Sequence, residues 1–170
     1  KGQSILLRDR HWGPYKGFIQ NNSLNYETWP LLPPNGNDSH PYFAKEEFES
    51  KLGELCSKQD KVMVWLNDPA HNPTGLSMSP TGRSVCLESF VESALNHPKV
   101  GHTLLIDSAY SLYADETHAW ADTILDSLEN GLMWPENLLV TVAVSLSKSH
   151  TIYGLRTGAL VSMHPEKEVT

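Results

Sequence analysis

The sequence has few cysteines, no long apolar run and no surplus of positive charge. Its two cysteines, Cys56 and Cys86, cannot build a disulfide framework or a CxxC site, so we expect two reduced thiols packed inside a cytoplasmic protein. The apolar runs are only a few residues long, whereas a membrane-spanning helix needs about 20 apolar residues, so we expect a soluble protein with no membrane partner. Because 13 basic residues face 20 acidic ones, nucleic acid is not expected as a partner either.

Metal-binding and nucleotide-binding motifs are missing as well. The eight histidines form no HExxH pattern and no other close pair on one helix face, so the sequence predicts no metal site. Neither GxGxxG nor GxxxxGK[ST] follows a predicted strand, which argues against a nucleotide-binding α/β domain. What remains is an acidic chain of 170 residues, 39% of them hydrophobic, which suffices for the core of one domain. The chain opens without an initiator Met or a signal peptide, and we expect residues 1–170 to be one domain of a longer protein.

Short apolar runs alternate with amphipathic segments along the chain. Strands are predicted at residues 5–7, 62–66, 103–106, 138–144 and 158–163, with a further strand near 24–31 inside a long ordered loop from 12 to 41. Helices are predicted at residues 44–58, 80–96 and 118–129. This alternation predicts an α/β fold with a mostly parallel sheet flanked by helices. In such sheets a ligand binds beyond the carboxyl ends of the strands.

Four polar segments fall where such a site would form. They are Asn72-Pro73-Thr74-Gly75, Asp107-Ser108-Ala109-Tyr110, Ser145-Leu146-Ser147-Lys148 and Gly154-Leu155-Arg156-Thr157-Gly158. Each is weak when taken alone, because Asn-Pro-Thr-Gly is usually a turn and a single Asp at a strand end is often a helix cap. Their order along the chain is more specific. A loop with an amide, an acid and an amine follow three successive predicted strands, and a guanidinium comes just before the last strand.

This order resembles the signature of the class I/II (fold-type I) aminotransferases that depend on pyridoxal 5′-phosphate (PLP). The segment from Ala70 to Gly75 is similar to that of the aspartate and aromatic aminotransferases, and Trp12-Gly13 resembles the Trp-Gly of the same enzymes. The resemblance covers residues 12–158. It implies amino-group transfer between an L-amino acid, possibly aspartate or an aromatic one, and a 2-oxo acid. It also implies that the full-length protein is a homodimer.

The resemblance implies a catalytic set of Lys148, Asp107 and Tyr110. Asp107 would pair with the protonated ring nitrogen of PLP, because an opposite charge a few Å away favours the pyridinium. Lys148 would form a Schiff base with the cofactor and then carry a proton once substrate has displaced it. The side chains of Asn72 and Tyr110 would donate to the ring oxygen.

The remaining implied contacts concern the phosphate and the ring face. Arg156 would bind the phosphate through two charge-assisted hydrogen bonds, with hydroxyl donors from Ser145 and Ser147. Trp12 would stack on the pyridine ring. The resemblance thus implies eight cofactor-binding residues: Trp12, Asn72, Asp107, Tyr110, Ser145, Ser147, Lys148 and Arg156.

Two departures from the family pattern leave the fine tuning and the substrate open. Aspartate-type enzymes support the ring-binding carboxylate with imidazoles, and the matching positions here are Tyr15 and Asn67. The Gly154-Leu155-Arg156 segment is closer to other aminotransferase branches, so the motifs point to more than one preferred amino acid.

The family also uses regions that these residues do not supply. Part of its phosphate site comes from a Gly/Ser/Thr loop upstream, and its substrate-carboxylate Arg belongs to a smaller C-terminal domain. We therefore expect the chain to be the central part of the large domain, to bind PLP weakly and to be inactive on its own.

Two other functions fit the same fold. One is a PLP-dependent C–S lyase or decarboxylase, although those enzymes often carry His at the position of Tyr110. The other is a non-catalytic aminotransferase-like sensor domain of a transcriptional regulator, which can keep Lys148 without turning over a substrate.

Overall fold

The computed structural model describes residues 3–34, 40–116 and 118–166. They form one six-stranded sheet with helices on both faces. The strands are β1 (Ser4–Arg8), β2 (Asn25–Trp29), β3 (Lys61–Asn67), β4 (Gly101–Asp107), β5 (Leu138–Ser145) and β6 (Gly158–Met163). The helices are α1 (Pro14–Asn21), α2 (Lys45–Cys56), α3 (Pro80–Asn96), α4 (Ala119–Glu129) and the single turn α5 (Leu146–Ser149). Short 3₁₀ helices cover Ser111–Tyr113 and Tyr153–Leu155.

The sheet is mostly parallel, which confirms the fold class predicted from the sequence. Its strand order is β2-β1-β3-β4-β5-β6, with every pair parallel except β5–β6, which is antiparallel. The register places Asn67 beside Asp107 and Asp107 beside Ala143 at the carboxyl ends of three neighbouring strands. The polar residues of these strands therefore meet at one edge of the sheet.

Alternate side chains of β1 and β3 contribute to two cores, one on each face of the sheet. Leu6, Val64 and Leu104 face the larger cluster under α2, α3 and α4, which also contains the buried Phe48 and Phe90. The opposite face of the sheet packs a smaller cluster from β1 and α1. Its buried members are Ile5, Leu7, Tyr15 and Ile19. This two-sided burial explains why β1 and β3 are near-continuous apolar runs.

The prediction of a loop from residue 12 to 41 was wrong in its first part. The structure has helix α1 there, and Pro14 occupies its first turn, where a missing N–H costs nothing. Tyr15 and Ile19 are both about 2% exposed, because a four-residue spacing places them on the same face against the sheet. Gly17 and the Asn and Pro residues nearby obscure this short pattern. The strand expected near 24–31 is present as β2, and residues 35–39 lie outside the described part of the chain.

Strand β6 lies at the edge of the sheet. Leu160 and Val161 are 66% and 51% exposed, and within the described residues β6 pairs only with β5. At the other edge, β2 is shorter and carries the polar residues Asn25 and Glu27. None of the helices in the described ranges has the length and apolar character needed to cross a lipid bilayer.

Candidate functional site

A hollow of about 310 Å³ opens beyond the carboxyl ends of β3, β4 and β5. All eight residues predicted to bind a cofactor line it: Trp12, Asn72, Asp107, Tyr110, Ser145, Ser147, Lys148 and Arg156. Four further residues complete the lining: Tyr15, Asn67, Ala109 and Tyr153. The acid, the amine and the guanidinium therefore share one cavity, although they are separated in sequence.

The carboxylate of Asp107 is held by two donors. The hydroxyl of Tyr15 donates a short hydrogen bond to Oδ2, and the backbone N–H of Ala109 donates to Oδ1 at 3.1 Å. Burial, followed by the nearby charge of Asp107, raises the pKa of Tyr15 well above its usual value, so the phenol remains a donor. The ring of Tyr15 also packs against Trp65, with centroids 4.1 Å apart. These contacts fix the direction in which the carboxylate faces the hollow.

Asn67 acts on the backbone rather than on this carboxylate. Its side-chain amide donates to the main-chain oxygen of Asp107 at 2.8 Å and accepts from the backbone N–H of Asn72 at 2.6 Å. Of the two departures from the family pattern, Tyr15 therefore touches the acid itself, whereas Asn67 ties the end of β4 to the loop that carries Asn72.

Asn72 and Tyr110 are adjacent at one side of the hollow. The Asn72 side-chain amide donates to the Tyr110 hydroxyl at 3.2 Å. Gly75, at φ +73°, closes the Asn72 turn by donating its N–H to the His71 carbonyl at 2.6 Å. Nδ1 of the buried His71 lies 2.8 Å from the Thr74 hydroxyl, and burial lowers the His71 pKa to about 4.

A buried ion pair anchors this loop to the helices beneath it. Asp68, which is fully buried, accepts at Oδ2 from Arg83 Nε at 2.8 Å and from Trp120 Nε1 at 2.9 Å. Its other oxygen accepts from the Met78 backbone N–H at 2.8 Å. Arg83 also pairs with Glu116, which is half exposed. Asp68 stands at the start of the segment that carries Asn72 and binds Met78 at its end, so it holds both ends of that segment. It was not identified from the sequence, because a single Asp after a strand has no distinctive pattern.

Lys148 lies in α5, directly after β5. Its ammonium lies 5.8 Å from the ring centre of Tyr110 and 5.0 Å from that of Tyr153, within the range of cation–π attraction. The hydroxyl of Tyr113 donates to the Lys148 carbonyl at 2.5 Å and so holds the short turn in place. Neither Tyr153 nor Tyr113 was predicted from the sequence, because each lies in an irregular segment with no periodic pattern.

The antiparallel return from β5 to β6 brings the phosphate-binding candidates together. Leu146 donates its N–H to the Thr157 carbonyl at 3.1 Å, and Arg156 has a left-handed backbone at φ 50°. Ser145 lies opposite Gly158 in the register, and Ser147 is buried. A Cβ on Gly158 would lie 2.5 Å from the Val144 carbonyl oxygen, so only glycine allows the strands to approach this closely.

Trp12 lies at the mouth of the hollow. It is 39% exposed and meets Tyr15 edge to face, with ring centroids 5.6 Å apart. Arg156 and Tyr153 are also exposed at the rim. The floor of the hollow is thus built from well-held polar groups, whereas its rim is open.

Comparisons with known proteins agree with this arrangement. The family model described as "Aminotransferase class I and II" matches residues 1–169. The aromatic-amino-acid aminotransferase of Paracoccus denitrificans is 31% identical over 131 residues, which cover 74% of this chain and 29% of that protein. The mitochondrial aspartate aminotransferase of Schizosaccharomyces pombe is 23% identical over 156 residues, covering 92% of this chain and 31% of that protein. The chain thus spans about a third of the length of these relatives.

Solved structures show the same fold. An aminotransferase from Anaerococcus prevotii superposes with a TM-score of 0.82 at 28% identity, over 99% of this chain and 39% of that one. An aromatic-amino-acid aminotransferase from Burkholderia pseudomallei, covalently bound to pyridoxal phosphate, superposes with a TM-score of 0.67 at 23% identity, over 99% and 37% respectively. With a family match over nearly its whole length, the chain belongs to the class I and II aminotransferases.

Proposed function

We propose that the protein containing this chain is a PLP-dependent aminotransferase, and that the chain forms the floor of its cofactor site. The observation that carries the proposal is the shared hollow of Asp107 and Lys148, in which the acid is oriented by two donors. An oriented carboxylate, an amine and a guanidinium around one cavity match the ring nitrogen, the aldehyde and the phosphate of PLP in charge and in chemistry.

The residues present fit this cofactor in size and in donor set. The volume of about 310 Å³ is at the lower end of the range of small-molecule sites. Asn72 and Tyr110 both offer donors on the same wall, as a phenolate oxygen requires. Arg156, Ser145 and Ser147 line the side formed by the β5–β6 return, where a dianion would find charge and hydroxyl donors.

Bound in this hollow, PLP would supply an electron sink for the negative charge that develops at the α-carbon of an amino acid. Asp107 would hold the proton on the ring nitrogen, because a carboxylate beside a pyridinium stabilises the charged form. Tyr15 and Ala109 would keep that carboxylate aimed at the ring.

Lys148 would serve as the covalent anchor and then as the base. Its amine would take the proton from the α-carbon of the amino acid and return it at C4′ of the cofactor. The rings of Tyr110 and Tyr153 beside the ammonium would restrict its position during this transfer. The amino group would thereby pass from an L-amino acid to a 2-oxo acid, with aspartate and the aromatic amino acids as the first donors to test.

The open rim supports a site completed elsewhere in the full-length protein. Trp12, Tyr153 and Arg156 are exposed in this chain, and desolvation strengthens charge-assisted contacts. We therefore propose that further segments and a second subunit of a homodimer cover the hollow. On its own the chain would bind PLP weakly and remain inactive.

Reconstitution of the full-length protein with PLP tests this function. The expected result is a visible absorbance band from lysine-bound cofactor, absent in Lys148→Ala and retained in the surface control Lys99→Ala. The second measurement is formation of a 2-oxo acid from aspartate or an aromatic amino acid. It should require a 2-oxo acid acceptor, whereas a lyase would release ammonia without one. A band that persists in Lys148→Ala would show that Lys148 is not the anchor.

A further inference from the structure

Cys56, His97 and His102 form a second cluster, at the opposite end of the sheet from the candidate cofactor site. One ligand atom from each of the three lies within 4.8 Å of the other two. Cys56 is the last residue of α2, His97 follows the end of α3, and His102 is near the start of β4. His102 and Asp107 are five positions apart on β4, which is roughly 16 Å along the strand. The cluster is therefore independent of the hollow described above.

The hydrogen bonds of the two imidazoles place a proton on each Nδ1 and leave the lone pair on Nε2. His102 Nδ1 lies 2.9 Å from the Val100 carbonyl oxygen, which only accepts, so Nδ1 carries the proton. Its Nε2 then has the lone pair, which accepts from the Ser93 hydroxyl at 3.0 Å and lies 3.4 Å from the Cys56 sulfur, so a metal ion would replace this one hydrogen bond. His97 Nδ1 likewise donates to the Ser93 carbonyl at 2.9 Å. A ring N–H bonded to a backbone carbonyl is the arrangement that orients metal-binding histidines.

The surroundings suit a cation that enters from solvent. Cys56 and His102 are buried, which shields a thiolate–metal bond, whereas His97 is partly exposed. A groove lined by Glu49, Glu92, Ser93 and His97 reaches the cluster at His97. Its two carboxylates favour the approach of a positive ion.

We propose that Cys56, His97 and His102 bind a Zn²⁺ ion, with water from the groove in the fourth position. Sulfur and imidazole nitrogen together are a ligand set that Zn²⁺ prefers. On binding, the Cys56 thiol loses its proton to solvent and the sulfur–zinc bond forms. Tetrahedral ligands at about 2.0–2.3 Å from zinc lie about 3.5 Å apart. Cys56 Sγ and His102 Nε2 already have this separation, and because all three ligand atoms lie within 4.8 Å of one another, His97 would move by about 1 Å or less to complete the set. The ion would tie α2, α3 and β4 together.

The sequence gives no sign of this site because its ligands come from three different elements. Cys56 and His97 are 41 positions apart, and no two of the three residues have the three- or four-residue spacing of a helical metal motif. Only the packing of α2 and α3 on β4 brings them together. The prediction that the chain lacks a metal site rested on local spacing alone.

Cobalt titration of the purified, metal-free, full-length protein tests the proposal. We expect one Co²⁺ per chain, a thiolate-to-cobalt charge-transfer band in the near ultraviolet, the intense visible bands of a tetrahedral site, and displacement by Zn²⁺. Cys56→Ser should remove the charge-transfer band. His97→Gln should weaken Zn²⁺ binding at least about 100-fold. Cys86→Ala, which changes the other buried thiol, should leave both readouts as in the wild type.

Several outcomes would overturn the site. Absence of the charge-transfer band in the wild type would do so, as would Zn²⁺ affinity equal in the wild type and His97→Gln. Because His97 is partly exposed, its variant keeps the test valid if Cys56→Ser does not fold. The result is also separable from the cofactor proposal, since Lys148→Ala should bind Zn²⁺ as the wild type does.

Discussion

The phenolic hydroxyl of Tyr15 donates to the carboxylate of Asp107 across 92 positions of sequence. The contact joins α1 on one face of the sheet to the carboxyl end of β4. Because the pKa of Tyr15 is raised, the phenol keeps its proton and remains a donor to this carboxylate. Orientation of the candidate ring-binding acid therefore depends on a helix that supplies no residue of the predicted catalytic set.

Tyr15→Phe should weaken PLP binding by the full-length protein about 10-fold or more. A hydrogen bond to a charged group contributes about 1.5–3 kcal/mol, and the phenylalanine ring retains the packing on Trp65. Titration of cofactor absorbance measures the change. Tyr15→His restores a donor and should recover part of the affinity. Equal affinities for wild type and Tyr15→Phe would show that this contact does not support cofactor binding.

Asp68→Asn should destabilise the fold by about 3–5 kcal/mol. It removes the charge that balances the buried Arg83, and an uncompensated buried charge is costly. Urea denaturation measures the free energy of unfolding. Glu116→Gln is the matched control, because Glu116 is 46% exposed and its pair with the same arginine should contribute about 1 kcal/mol or less. A similar loss in both variants would contradict the central role of Asp68.

His71 should make stability fall between about pH 6.5 and 4. Burial lowers its folded-state pKa to about 4, below the usual 6.5, so the unfolded chain binds more protons in this window. The free energy of unfolding is therefore unaffected by this group above about pH 6.5 and falls as the pH drops towards 4. The total loss is about 3 kcal/mol at most. Unfolding free energies of the wild type and His71→Gln, compared from pH 7 to 4.5, isolate the effect.

Thr74→Val provides the control for this measurement. It removes the hydroxyl 2.8 Å from His71 but leaves the imidazole in place, so the slope of stability against pH should stay close to that of the wild type. If His71→Gln and the wild type show parallel curves over this range, the buried imidazole is not the source of the pH dependence.

Gly158→Ala should disturb the β5–β6 return. The added Cβ would lie 2.5 Å from the Val144 carbonyl, and the backbone must shift, at a cost of about 1–3 kcal/mol. We expect a lower melting temperature and weaker PLP binding, because Arg156 lies two residues away. Gly154→Ala, where nothing lies within 4 Å of the new Cβ, should change neither. A Gly158→Ala protein with wild-type melting and cofactor binding would contradict the crowding seen here.

The parts of the fold visible in the sequence were those with a strong local pattern. Helix α3 begins at Pro80 and ends at Asn96 as expected, and β3, β4 and β5 agree with the apolar runs to within a residue or two. Helix α1 was missed because only Tyr15 and Ile19 mark its buried face and Gly17 interrupts it. The antiparallel direction of β6 depends on the tight return after β5, for which the sequence has no direct signal.

The residues of the candidate site likewise fall into those that the sequence predicts and those that only the structure reveals. Strand-end residues such as Asp107, and the Asn72 turn, have a characteristic order along the chain, so their convergence could be predicted. Tyr153, which flanks Lys148, and Asp68, which anchors the loop, depend on three-dimensional contacts alone. Their partners lie in other elements, and no pattern within a short window identifies them.

The exposed strand β6 also affects how the chain behaves in isolation. A row of backbone N–H and C=O groups beside side chains such as Leu160 can recruit a strand from another molecule. No proline interrupts β6, and no charged residue lies within it. We expect these 170 residues, expressed alone, to self-associate as concentration rises, with light scattering as the measure. Leu160→Lys should suppress this association and leave the monomer's far-ultraviolet circular dichroism unchanged.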